Sequence, residues 1–257
     1  MSYFIVGVTA ALASLLTFFS GFGLNTILMP AMAIFFPIET AVAMTALVHM
    51  ANNAFKLTLV GKKVNVRIAL KFGLPAIVTA FIGAWILTKL SRMPALVTYQ
   101  LWQNDFSITA INLVVGAVMV VFSLVELLPK FENYEIDEKW LPLGGIISGF
   151  FGGLSGHQGA ARSVFLNKSK LDKESFIATG IIISFMVDIS RISVYAGDIS
   201  YIGTRASWSL AAVAALSAFA GSFIGSRFID KVTSKFIRAL LGIMLVVLGI
   251  LIALGLV

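Results

Sequence analysis

Ser20-Gly21-Phe22-Gly23 interrupts an apolar run that extends from Tyr3 to Phe36 without one charged residue. Ser155-Gly156-His157-Gln158-Gly159 interrupts a second such run 135 positions later. Glycine lacks a Cβ and costs a helix interior ~1 kcal/mol against alanine, so glycines this close together mark an unwound turn. In a bilayer, irregular backbone is tolerated only where protein or a watery cavity covers it. Both breaks therefore belong near the centre of the molecule.

The surrounding chain makes a bilayer the relevant solvent. Its 257 residues are 59% hydrophobic and 12% charged, with a mean hydropathy of +0.97. A soluble domain carries about 25% charged residues. Apolar runs near the length of a membrane span recur throughout, the mark of an all-α polytopic membrane protein whose partner is the lipid bilayer. The net charge of +7 then belongs to cytoplasmic loops rather than to a nucleic-acid surface. The chain has no cysteine, which excludes disulfides, thiol catalysis and thiolate metal sites. Two histidines without a carboxylate cluster make no metal site. No P-loop and no Ser-His-Asp spacing occur, so neither an enzyme, a cofactor nor an ATP-driven pump is expected. Met1-Ser2-Tyr3 carries no basic segment of the kind that precedes a signal-peptide core, so no cleaved leader is expected.

Periodicity predicts helices over 40–60, 68–87, 107–128, 174–196, 202–226 and 237–256, with broken regions over 3–36 and 141–166. Residues 89–106 are expected along the interface, and 130–140 form a charged linker. The single membrane domain, 1–257, divides into an N-terminal repeat, 1–129, and a C-terminal repeat, 141–257. The halves match at a shift of 135: Glu39-Thr40 on Glu174-Ser175, Asn53 on Asp188, and Lys56-Leu57-Thr58-Leu59 on Arg191-Ile192-Ser193-Val194. Ile82-Gly83 matches Ile224-Gly225 at a shift of 142.

The handedness of the repeat follows from basic residues, which collect on the cytoplasmic side. If both broken regions cross the membrane fully, Lys and Arg divide almost evenly between the two faces. If each is a hairpin that turns at its glycines, thirteen fall on one face, around 62–71, 130–139, 168–173 and 227–238. Only Lys89, Arg92 and Arg205 fall on the other. The charge bias selects the hairpins. Each half then has one re-entrant helical hairpin and three transmembrane helices, an odd number of crossings, so the two repeats are inverted. Both termini are extracytoplasmic, and Gly21 and Gly23 meet Gly156 near the midplane.

Lys56, Arg162 and Arg191 remain inside apolar segments, where an ionisable group is expensive and lines a pathway or finds a partner. Inverted repeats with broken helices place a transporter's site at the repeat interface, and helix N-termini there favour anions. Lys56 and Arg191 bind substrate or snorkel to headgroups. Arg162 binds substrate or belongs to the cytoplasmic end of its arm. Asp188 neutralises Arg191 one turn away, or it is the coupling carboxylate for a proton or sodium ion. His157 and Gln158 contact substrate or satisfy loose carbonyls at the turn. Asn52 and Asn53 lean toward the pathway, and His49 toward packing. Trp85, Trp102, Trp140 and Trp208 read as interfacial anchors.

The chain resembles the TauE/SafE family of sulfite exporter-like membrane proteins. The resemblance rests on Gly21-Phe22-Gly23 through Pro30, Ala41-Val42-Ala43-Met44-Thr45, Ile82-Gly83-Ala84, Gly144 to Gly159, Ala178-Thr179-Gly180, and the helix bearing Arg191 and Tyr195. It implies transport of a small sulfur-containing anion, such as sulfite, thiosulfate, sulfoacetate or another organosulfonate, across the bacterial inner membrane. The expectation is a secondary carrier working by alternating access. The alternatives are a passive anion channel or a membrane scaffold without transport; a homodimer is compatible with all three.

Overall fold

Each apolar run folds as a helix that ends where the sequence supplies a cap or a break. The computed structural model describes residues 1–20, 23–127, 137–166, 171–197, 207–227 and 234–257. In chain order the helices are α1 (Ser2–Ser20), α2 (Asn25–Ala33), α3 (Ile38–Val60), α4 (Val66–Leu90) and α5 (Ala110–Leu127). They continue as α6 (Leu141–Ser155), α7 (Gly159–Leu166), α8 (Lys173–Ala196), α9 (Trp208–Ser226) and α10 (Ser234–Ala253). Side-chain acceptors close three N-termini: Asn65 takes the Ile68 amide at 3.1 Å, Asp172 the Ser175 amide at 2.9 Å, and Ser207 the Leu210 amide at 3.4 Å. Each satisfies an amide the helix cannot. The Ser175 amide also holds the exposed Asp172 carboxyl below its usual range.

Helix lengths separate spanning elements from arms. Among the described residues α4, α8 and α9 are long and apolar enough to cross a membrane. The nine residues of α2 and eight of α7 reach only about 12–14 Å at ~1.5 Å per residue, less than half of a ~30 Å hydrocarbon core. Helix α7 folds back on α6: Gly144, near the start of α6, packs under the Phe165 ring, and Ser148 Oγ donates to the Gln158 carbonyl at 2.9 Å. The reversal occurs at Gly156, whose φ of +81° only glycine adopts without strain. Its amide closes α6 on the Gly152 carbonyl at 2.9 Å. The second sequence break is thus a helical hairpin. In the first, α2 packs against α1 and α3; Gly21 lies outside the described residues.

The main pairings are α4 with α6, α1 with α9, α5 with α10, α3 with α8, α4 with α8, and α3 with α9. Exchanging the two halves turns α4–α6 into α9–α1 and α4–α8 into α9–α3, and leaves α3–α8 and α5–α10 unchanged. The exchange holds for particular residues. A Cβ on Gly83 would lie 2.1 Å from the Phe150 carbonyl oxygen, and one on Gly225 would lie 3.5 Å from the carbonyl of Leu15. These are the same pair under the sequence shifts.

Between α4 and α6 the backbones touch. Gly145, Gly149 and Gly153 each lie over a carbonyl, and an added Cβ would fall 2.1, 2.2 and 2.0 Å from the oxygens of Phe72, Ala76 and Ala80. Lipid tails are as apolar as leucine, so helices in a membrane associate through such close packing rather than through a hydrophobic drive. The outer face of α4 supplies the complement: Leu70, Leu74, Val78, Phe81 and Trp85 are all exposed, as a lipid-solvated surface requires. Trp85, Trp102, Trp140 and Trp208 are exposed near segment ends.

One element departs from the expected interfacial segment. Val97–Leu101 and Asn104–Ile108 pair as antiparallel strands β1 and β2, with Val97 opposite Ile108 and Leu101 opposite Asn104. Trp102 and Gln103 turn the chain with φ of 46° and 68°, the positive-φ pair of a type I′ turn. Neither is a residue that announces such a turn. Tyr99 donates to the Leu254 carbonyl at 2.7 Å, so the hairpin caps the end of α10.

Gly149→Ala is predicted to destabilise the protein by about 1–3 kcal/mol, the cost of overpacking a closed contact. The check is a lowered melting temperature in detergent; an unchanged one would contradict this account of the α4–α6 seam.

Candidate functional site

Two helices with polar interiors cross at the centre of the molecule. Residues of α3 and α8 that lie 135 positions apart touch: Asn53 Nδ2 donates to Asp188 Oδ2 at 3.0 Å. His49, one turn earlier on α3, donates from Nδ1 to the same oxygen at 2.7 Å. The other carboxylate oxygen accepts from Arg191 Nε at 3.0 Å and Nη2 at 2.7 Å. Asp188 and Arg191 are both fully buried. Four donors on one carboxylate keep it ionised and fixed.

Arg191 ties this pair to α2 and to the α6–α7 hairpin. Its Nη1 reaches the Gly152 carbonyl at 3.5 Å, at the tip of the α6–α7 hairpin. With its amide carbonyl facing the guanidinium, Asn25 accepts from both Nη atoms, 2.9 Å from Nη1, and donates to the Thr45 carbonyl at 3.0 Å. Asn25 begins α2, so α2 meets the α6–α7 hairpin across Arg191. A Cβ on Gly156 would press on Asn25 and on Arg191 at 2.8 and 3.0 Å. Tyr195, one turn farther along α8, donates to the Gly153 carbonyl at 2.6 Å.

Beside this clamp lies a narrow cavity of about 30 Å³, room for two or three waters at ~10–15 Å³ each. Lys56 and Arg162 wall it, with His49, Asn53, Thr17, Gly23, Gly180 and Ser184. Arg162 reaches across Gly180 and donates from Nη1 to Ser184 Oγ. The Lys56 ammonium lies 5.2 Å from the centre of the Phe18 ring, and no hydrogen bond holds it among the described residues. Lys56 is 4% and Arg162 5% exposed. Lys56 therefore does not snorkel. Asp188, behind the cavity, is bonded to Arg191. The site thus has two cationic side chains, four polar neighbours and a wall drawn from both halves of the chain.

The structure divides the expected residues into three groups. Asn53, Lys56, Gly23 and Arg162 line the cavity, and Asp188 sits directly behind it. Arg191 and Gly156 belong to the clamp. Asn52 points elsewhere: it donates to Ser14 Oγ at 3.0 Å and accepts from Ser222 Oγ at 2.7 Å, and those two hydroxyls are 2.6 Å apart. That closed triangle joins α1, α3 and α9. His157 and Gln158 are buried at the second tip. Among the described residues His157 Nε2 and both amide atoms of Gln158 have no hydrogen-bond partner. His157 borders a second cavity of about 10 Å³ with Thr26 and Ser123. Gly21 lies outside the described residues. His49, expected to pack, faces the cavity, and Ser184 was not anticipated. The repeat carries the signal for Ser184, because it is the position that His49 maps onto.

Removing Arg191 alone would leave Asp188 buried and uncompensated. Arg191→Ala is predicted to cost roughly 3–5 kcal/mol, and Asp188→Ala/Arg191→Ala less than the sum of the two single changes. Thermal or denaturant melts of the three variants check this; additive losses would contradict the clamp.

Compared with known proteins, residues 6–252 match the family model described as Sulfite exporter TauE/SafE. No curated protein matches the chain.

Proposed function

Because the chain belongs to the sulfite exporter TauE/SafE family, whose members are membrane transporters, we propose that it carries a small sulfur-containing oxyanion through the Lys56–Arg162 cavity by alternating access. The observation that carries this reading is the pair of cations on one buried wall, from α3 of the first half and α7 of the second. A tetrahedral or pyramidal oxyanion such as sulfite or thiosulfate complements the two cationic side chains and accepts hydrogen bonds from the donors around it. A volume of about 30 Å³ favours these over a long organosulfonate. Near-complete burial of Lys56, Arg162, His49 and Asn53 favours a carrier with an occluded site over an open channel.

The motion that alternates access is, in this reading, a rocking of the two halves about α3 and α8. Three observations support inverted repeats. The helix pairings are preserved when the halves are exchanged, the equivalent residues Asn53 and Asp188 touch each other, and α2 and α7 are too short to span. One apolar cluster is placed to act as the gate. Phe18, Ile177 and Ile181, with Leu57, Val60 and Phe176, lie toward the end of α3 that leads into the basic segment Lys62-Lys63. In the orientation given by the basic residues, this gate faces the cytoplasm and both termini lie outside the inner membrane.

The binding reading is tested by a melting-temperature screen in detergent with sulfite, thiosulfate, sulfate, sulfoacetate and chloride, since a ligand of the folded state raises the transition by mass action. Sulfite or thiosulfate is expected to stabilise the wild type. Lys56→Gln or Arg162→Gln is expected to weaken binding on the order of 10–100-fold, the ~1.5–3 kcal/mol of a charged hydrogen bond. No response to any sulfur oxyanion would refute the substrate class.

The orientation has its own check, which the absence of cysteine makes direct. A membrane-impermeant maleimide should label Ser2→Cys on intact cells and Lys62→Cys only after lysis. The reverse pattern would invert the topology.

A further inference from the structure

His49 has a chemistry that the anion site alone does not use. Its Nδ1 lies 2.7 Å from Asp188 Oδ2, and an ionised carboxylate only accepts. Nδ1 therefore carries the hydrogen, and the neutral ring is left with a lone pair on Nε2. That Nε2 edge points to the first hairpin and the cavity: it is 3.2 Å from where a Cβ on Gly23 would stand, and His49 is one of the cavity's lining residues. A bare lone pair facing an oxyanion repels it. A proton on Nε2 turns that contact into a charge-assisted hydrogen bond.

We propose that His49 is a proton-binding site that loads together with the anion, so that the cavity takes an oxyanion and one proton as a pair. The proposal rests on the oxyanion reading of the cavity. As hydrogen sulfite enters, its acidic proton passes to the Nε2 lone pair: the anion's bond to that proton breaks, the Nε2–H bond forms, and the resulting N–H donates to the sulfite dianion left behind. No electron moves. Asp188 is the positioning residue. It sets the tautomer by holding Nδ1–H and stabilises the imidazolium once formed, the role of a carboxylate behind any histidine base.

The surroundings of His49 decide why anion and proton must arrive together. The charged groups that face it are Asp188 and Arg191 from α8, Lys56 from its own helix, and Arg162 from α7. The first hairpin contributes only Gly23 and Leu24 at the cavity, and α1 only Thr17 and Phe18. The described parts of α2 and α9 carry no charge. Asp188 is bonded to Nδ1 and in turn to Arg191, and the Lys56 ammonium shares the cavity wall with the ring. A bound dianion is met there by that ammonium and, once Nε2 carries a proton, by the imidazolium as well. Asp188 itself is a poor carrier, because Asn53, His49 and Arg191 occupy both its oxygens. A carrier built this way prefers an oxyanion whose proton comes off near neutral pH, such as sulfite, to sulfate.

The test uses the intact wild-type protein with ¹⁵N-labelled histidine rings, since the chain has only His49 and His157. His157→Gln assigns the signals. Spectra are taken at pH 7.5 with and without saturating sulfite, with binding followed separately by titration calorimetry. Without sulfite, His49 should show a protonated Nδ1 and an unprotonated Nε2. With sulfite, its Nε2 should move to the protonated range. In calorimetry across buffers of different ionisation heat, the wild type should take up about one proton per sulfite more than His49→Gln. An Nε2 that stays unprotonated while sulfite binds would overturn the proposal and leave the oxyanion site standing. Absence of sulfite binding to the wild type would overturn both.

Discussion

The buried pair of Asp188 and Arg191 is the constraint on which the rest of the structure depends. Two ions removed from water each carry a penalty of several kcal/mol, offset only if geometry and further hydrogen bonds are nearly complete. Here they are. The carboxylate takes donors from Arg191, His49 and Asn53, and the guanidinium reaches Gly152 and Asn25. Satisfying this one pair brings α3, α8, the start of α2 and the tip of the α6–α7 hairpin to a common point. A membrane interior, with no water to accept a stray donor, leaves little alternative.

The same clamp explains why a cavity survives next to it. Glycine contacts pull α4 against α6 until the backbones touch, and Asn52 with Ser14 and Ser222 closes α1, α3 and α9. Between those two closed seams, Lys56 and Arg162 line the same cavity. Side chains that could have packed the gap are replaced by Gly23 and Gly180. The two matching stretches of sequence differ at this point. Lys56 and Arg191 are equivalent positions, yet Arg191 is spent on the clamp while Lys56 faces the cavity.

Sequence patterning reads well where it depends on periods and breaks. The described helices end within a few residues of their expected bounds, save that the expected start of α9 at 202 lies outside the described residues, and the second glycine break is a hairpin closed by Gly156. Patterning fails where an unusual residue takes a turn: Trp102-Gln103 gives no warning of a β-hairpin. It also fails to sort polar residues inside helices. Asn52 and Asn53 are neighbours in sequence, but consecutive helical positions point about 100° apart. One joins a hydroxyl triangle and the other the Asp188 site.

By itself, the sequence determined that the chain is a helical membrane protein, with two apolar runs broken at glycines 135 positions apart and three cations inside its apolar segments. These are properties of local composition and of repetition, which the chain carries wherever it folds. Only the tertiary structure decided that Arg191 is a clamp, that Lys56 and Arg162 share a wall, and that His49 turns its free nitrogen to them. Such roles are set by which side chains meet across helices more than a hundred residues apart, and by which of them the buried carboxylate has already satisfied.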